Sequence, residues 1–176
     1  MPAVFFKSLN AFSKFIDSLQ TVIAQTVKWL VLAMSITVCI IIVARFFDIG
    51  STALQESVTY MHGTLFMLCL AYTAYADGHV RVDICYRRFS LVNRAWVDLI
   101  GACLFLLPFS LFLVIVTWHS AVQSWAIGES SINPGGLPFV FLLKSLPPLA
   151  GILLCLHALS DICKQLTLVS LQQQDS

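Results

Sequence analysis

Ala76-Asp77-Gly78-His79-Val80-Arg81-Val82-Asp83-Ile84-Cys85-Tyr86-Arg87-Arg88-Phe89 is the densest cluster of charge in a 176-residue chain that is 59% hydrophobic and only 11% charged. Long apolar runs flank it on both sides, and a charged stretch in that setting belongs at a membrane surface. Gly78 is placed to end the preceding helix in a left-handed cap. If a new helical turn begins beyond it, Asp83 and Arg87 form the favourable acid-then-base pair four residues apart, and Val82, Tyr86 and Phe89 share one face. The stretch reads as a short amphipathic element lying in the headgroup layer between two hairpins of transmembrane helix.

The mean hydropathy of +0.87 is far too high for a soluble domain and places the chain among integral membrane proteins. A helix needs about 20 apolar residues to cross the hydrocarbon core. Sixteen uncharged residues separate Lys28 from Arg45, twenty separate Glu56 from Asp77, and thirty separate Asp98 from Glu129. A further apolar run, interrupted only by Lys144, follows Leu137. The expected fold is therefore all-α, with four transmembrane helices at about 29–47, 57–76, 91–127 and 137–160. They form a membrane domain over 29–164, preceded by an amphipathic helix over 1–28 and followed by a tail over 165–176. No soluble catalytic domain fits in the remainder, so the chain does not read as an enzyme.

With four spans, both termini and the central loop share one side. That side carries Lys7, Lys14, Lys28, Arg81, Arg87, Arg88, Arg94 and Lys164, against Arg45, Asp48, Glu56 and Glu129 on the other. The positive-inside rule then makes both termini cytoplasmic. A net charge of +1 without a basic run gives no reason to expect nucleic acid. The six cysteines have no C-x-x-C spacing and lie within spans or near their cytoplasmic ends, as packing residues or free thiols.

Phe5, Leu9, Phe12, Ile16, Leu19 and Ile23 repeat at helical spacing, with Lys7, Asn10, Lys14, Asp17 and Gln20 elsewhere on the wheel. This predicts a helix on the inner membrane surface that runs into span one, with a coiled-coil seam against another subunit as the alternative. It lacks the compact apolar region and cleavage site of a secretory signal and is expected to be retained. Trp29 and Trp96 fall at the inner boundary, Trp118 and Trp125 towards the outer one, as aromatic belts require. Span three, capped by Ser90, would be roughly 55 Å long at 1.5 Å per residue, so it must tilt or project, and Pro108 should kink it. Residues 128–138, with Asn133, Pro134 and three glycines, break the chain on the outer side. Pro147-Pro148 should leave span four bent or locally unwound.

Every Asp and Glu lies at or beyond a span boundary, and Lys144 is the one charge clearly inside a span. A pump or symporter needs an intramembrane carboxylate, so this chain alone is not expected to couple an ion gradient to transport. Lys144 can snorkel to the outer surface, pair with a partner subunit or meet a substrate. Arg45 and Glu56 flank the first outer connection, where they can pair, face a soluble partner or stay solvated. His62 and His119 lie at similar depth, which admits a haem- or quinone-binding respiratory anchor as the second reading. Hydrogen bonding between helices is the ordinary role for such histidines.

Arg45 closing span one, Glu56 opening span two, the loop Gly78-His79-Val80-Arg81-Val82-Asp83, and an outer loop before a proline-bearing fourth span together resemble the DctQ-like small membrane subunit (Q) of tripartite ATP-independent periplasmic (TRAP) transporters. The resemblance implies a four-helix subunit in the bacterial inner membrane. Its implied partners are a large multi-span subunit that moves organic acids with sodium, a periplasmic binding protein that delivers them, and membrane lipid. The small subunit would be a scaffold that anchors the static part of the complex and helps dock the binding protein, with no cofactor of its own. Arg45, Glu56, His79, Arg81, Asp83, Asn133, Pro134 and Lys144 are the candidates for partner contact or topology.

Overall fold

Apolar runs of this length leave the helix as the only open-ended way to satisfy the backbone in lipid, and every element among the described residues is helical. The computed structural model of the chain describes residues 2–76, 78 and 89–174, without the side chains of 2–8, 91 and 170–174. The helices are α1 (Pro2–Val27), α2 (Trp29–Phe46), α3 (Thr52–Tyr75), α4 (Leu91–Gly101), α5 (Leu107–Ile127) and α6 (Val140–Gln174), with a π-helical turn, Ala102–Leu106, joining α4 to α5. Three stretches among these are long and apolar enough to cross a membrane: Leu9–Phe46, Val92–Ile127 and Val140–Val169. α3 has the length, at 24 residues, but Thr59, His62, Gly63 and Thr64 dilute its apolar character. It packs against α1, α2 and α6, and a helix with protein on several sides tolerates such residues.

α6 is the axis of the bundle, touching α1, α3, α4, the π turn and α5. The central cluster joins Ala71 of α3 to Leu153 and Leu154 of α6, with Ile23, Leu68, Leu70 and Leu106 packed around it. Small residues let α5 approach closely: Ser110, Ala121, Ser124, Ala150 and Ala158 are buried, and the Cys155 thiol donates to the Ser110 hydroxyl at 3.0 Å. At Gly151 a Cβ would stand 2.7 Å from Val114 Cγ2 and 3.1 Å from the Ser110 carbonyl oxygen, whereas at Gly101 it would meet nothing within 4 Å. Gly151→Ala is therefore expected to destabilise the chain by about 1–3 kcal/mol through overpacking. Gly101→Ala should be neutral or stabilising by up to about 1 kcal/mol. Thermal unfolding of the two purified variants checks the contrast.

α1 departs from the surface helix expected of residues 1–28. Ser13, Ile16, Gln20, Ala24 and Val27 are buried along one side of α1, which packs on α3 and α6. Gln20, expected on the polar face, is only 2% exposed, while Phe12 and Phe15 face outward. One side of α1 is thus taken by the chain's own helices, and Phe12, Phe15 and Val22 stay on its outer side. Polar ties to its own chain draw α1 in: the Ser13 hydroxyl donates to the Ser160 carbonyl at 3.2 Å, and Lys164 Nζ lies 2.8 Å from Asp17. The same ammonium sits 5.3 Å from the Tyr75 ring centre, so α1, α3 and α6 meet at one cation.

Ser90 caps α4, its hydroxyl accepting from the Asn93 N–H at 3.3 Å. The disturbance expected at Pro108 takes the form of the π turn one residue before α5 begins, a register change that accommodates a residue lacking an N–H. α6, by contrast, is helical without interruption through Pro147 and Pro148, so the expected unwinding there is corrected. The turn before the prolines is held from outside: the Ser145 hydroxyl donates to the Phe141 carbonyl and accepts from Trp125 Nε1 of α5. The left-handed cap expected at Gly78 is not found, since the glycines with positive φ among the described residues are Gly128 and Gly135. The Gly78 N–H instead returns to the Thr73 carbonyl at 2.9 Å. The amphipathic loop element, with His79, Arg81 and Asp83, lies outside the described residues.

Candidate functional site: a carboxylate clamp on the loop between the last two helices

The sequence breaks where helix C-caps and turns need it to. Gly128, at φ 58°, ends α5. The Glu129 N–H returns to the Ser124 carbonyl and the Gly128 N–H to the Trp125 carbonyl, the paired bonds of a Schellman cap. Asn133-Pro134-Gly135-Gly136 then turns back, its Gly136 N–H bonded to the Asn133 carbonyl at 3.0 Å. Proline second and a glycine at φ 73° third are the residues a type II turn requires. The Val140 N–H bonds to the Glu129 carbonyl at 3.1 Å, tying the start of α6 to the end of α5.

Glu56 reaches into this loop from the second turn of α3. One of its oxygens accepts from the Ser131 hydroxyl and from Asn133 Nδ2 at 3.0 Å, and the other from the Leu137 N–H at 2.7 Å. The Ser131 hydroxyl also accepts from the Asn133 N–H, and the Ser131 N–H closes on the Leu137 carbonyl, both at 3.1 Å. The loop thus wraps around a carboxylate, and Gly136 is the wall behind it. A Cβ there would lie 2.5 Å from Ser131 Oγ and 2.7 Å from Glu56 Oε1.

A second acid–base contact braces the same end. Lys144 Nζ donates to both oxygens of Glu129, at 2.7 and 2.6 Å. The counter-charge of Lys144 thus comes from its own chain, at the end of the helix towards which snorkelling would carry the ammonium. The Val140–Glu129 bond brings the carboxylate over the first turns of α6, within reach of a lysine one turn further on. Arg45 ends α2 with its side chain exposed and makes no pair with Glu56, whose lone pairs are taken by the loop. Of the residues expected at this end, Glu56, Asn133 and Pro134 come together in the clamp, Lys144 braces it, and Arg45 stands apart.

The bonds from Ser131, then Asn133 and Leu137, hold the Glu56 carboxyl below its ordinary value of 4.5. Lys144 does the same first and foremost for Glu129. A depressed folded pKa contributes stability above the unfolded value and loses it as pH falls through the folded one. The melting temperature should therefore be insensitive to these groups from neutrality to about pH 5 and should fall below 4.5. Lys144→Met should lower it at neutral pH by stranding the Glu129 carboxylate, and Lys144→Met with Glu129→Leu should recover most of that loss. Thermal scans of the purified variants against pH test both expectations. An equal loss in single and double variants would contradict the second.

Ser131, the Leu137 N–H, Gly136 and the role of Glu129 were not picked out by sequence reasoning. One usable signal was present: Lys144 is the lone charge within the last apolar run, and Glu129 is the nearest carboxylate before it. The second reading, a haem- or quinone-binding anchor built on His62 and His119, finds no support in the packing. α3 and α5 both pack on α6 rather than broadly on each other. His119 is taken by Gln123 at 2.8 Å, while His62 stacks on Phe66 of its own helix. Among the described residues no three potential metal-binding side chains cluster.

Residues 13–168 match the family described as tripartite ATP-independent periplasmic transporters, DctQ component. No curated protein and no solved structure matches the chain.

Proposed function

The chain belongs to the DctQ-component family of tripartite ATP-independent periplasmic transporters, and on that premise we propose that it is the small scaffold subunit of a sodium-coupled transporter of organic acids in the bacterial inner membrane. α3 is its fourth span, the termini and the 77–88 loop are cytoplasmic, and the Glu56 clamp faces the periplasm. Its role is to enlarge and anchor the static part of a large multi-span subunit and to offer the periplasmic binding protein a fixed platform. The family is a transporter component rather than an enzyme family.

The observation that carries this reading is the saturation of Glu56. A carboxylate that accepts from a hydroxyl, an amide and a backbone N–H of one loop is built to hold that loop still, since charge-assisted bonds to three separate groups fix it at several points. A gate that opens each cycle would have to break all of these together. A fixed platform never does. Purification of the tagged chain from its native membrane tests the reading. A large multi-span protein should be recovered with it in stoichiometric amount, and the periplasmic binding protein should bind the pair. Recovery of the chain without any multi-span partner would reject it.

A further inference from the structure

α2 has no buried residue among its 18, and between it and α3 runs a groove of about 550 Å³ lined by Met34, Ser35, Val38, Val58, Thr59 and His62. Hydroxyl groups in a membrane helix ordinarily bond back to their own backbone. Ser35 does so with the Val31 carbonyl, and on α3 Ser57 does so with Leu54, Thr64 with Tyr60 and Thr73 with Cys69. The side chains of Thr59 and His62, both exposed, make no hydrogen bond among the described residues. They stand three residues apart on one face of α3 and open into the groove. His62 is six residues beyond Glu56, about 9 Å deeper at 1.5 Å per residue.

We propose that this groove seats a membrane-spanning helix of the large partner subunit, one of whose side chains hydrogen-bonds His62. The inference rests on the subunit role argued above and goes beyond it by assigning the docking face. An acyl chain would fill the volume but leave an imidazole and a hydroxyl without partners in hydrocarbon, a cost of the kind that membrane helices avoid by facing protein. A helix bearing a donor or acceptor meets both needs, with the apolar surface of Val38 and Val58 packing beside it. A separate concavity along Ile36, Cys39, Ile40 and Val43 lies further round α2 and shares only Ser35 with the groove.

The test uses the full chain expressed with its partner. A photo-crosslinking amino acid at Val58 should join the large subunit, whereas one at Ile115, on the exposed side of α5, should not. His62→Phe keeps a ring but removes the hydrogen bond, and it should reduce the partner recovered by about three- to tenfold, the worth of one interhelical bond. His62→Gln should retain it. The melting temperature of the isolated chain should be the same for wild type and His62→Phe, because among the described residues His62 makes no hydrogen bond and Phe keeps a ring to stack on Phe66. If the complex forms but Val58 crosslinks only lipid, or His62→Phe retains the partner in full, the docking face is wrong while the subunit role stands. If the wild-type chain recovers no multi-span partner, the subunit role fails and the docking face with it.

Discussion

Glu56→Gln is expected to lower the melting temperature of the purified chain by several degrees and to weaken binding of the periplasmic protein to the assembled transporter. The substitution conserves shape, which is why it is informative. An amide keeps one acceptor, enough for Ser131 or Asn133, but places an N–H₂ where the other oxygen accepts from the Leu137 N–H at 2.7 Å. Turning the amide over restores an acceptor for the Leu137 N–H, but the Ser131 hydroxyl and the Asn133 amide, both donors to Glu56, must then rotate and flip to accept from it, and the charge that strengthens every bond of the clamp is lost. Glu56→Ala removes every bond of the clamp at once, so it should be at least as harmful as Glu56→Gln, which keeps neutral versions of some of them. A scan of both variants, with binding measured on the reconstituted complex, decides this. A Glu56→Gln chain that melts and binds like the wild type would mean that the clamp does not hold the loop.

Gly136→Ala should reproduce that loss without touching a charge. The added Cβ cannot be accommodated by rotating a flexible tip, since Ser131 Cβ lies 2.6 Å from it as well as the hydroxyl oxygen and the carboxylate. Either the turn at 133–136 opens or Glu56 is expelled. Both outcomes undo the same set of bonds, so the two substitutions should be strongly non-additive: the Glu56→Gln, Gly136→Ala double variant should melt close to the worse single one. Gly128→Ala is the control. Its backbone is left-handed, at φ 58°, unlike that of Gly136, but a Cβ there meets nothing within 4 Å, so it should cost only the backbone strain of about 1 kcal/mol. Additive losses at Glu56 and Gly136 would place their effects in separate parts of the molecule.

Much of the fold is legible because membrane helices are constrained locally. Charges bound the apolar runs, Ser90 has its capping hydroxyl, Pro108 forces a register change nearby, and Gly128 and the Asn133-Pro134-Gly135-Gly136 turn carry the residues their backbone angles need. Each of these follows from a few consecutive residues. The clamp does not. Glu56 meets partners 75, 77 and 81 residues away, and nothing in the local pattern of α3 says that its carboxylate will be met by three donors of a distant loop. The packing of α1 was hidden for a related reason. The apolar spacing of Phe5 to Ile23 is real, but helix contact in a bundle follows small and polar residues that permit close approach. Ser13, Gln20 and Ala24 therefore face inward while Phe12 and Phe15 face out. The counter-ion of Lys144 is hidden because a lysine in an apolar run is read alone, whereas the loop geometry delivers Glu129 to it.

The central claim is that this chain braces another protein's translocation cycle and runs none itself. Uptake of a labelled organic anion into liposomes under a sodium gradient, with the periplasmic binding protein added outside, tests it most directly. Liposomes holding the chain alone should accumulate nothing, those holding the chain with its large partner should accumulate the anion, and the partner without the chain should lose most of that activity. Accumulation by the chain alone, or full activity of the partner without it, would contradict the account.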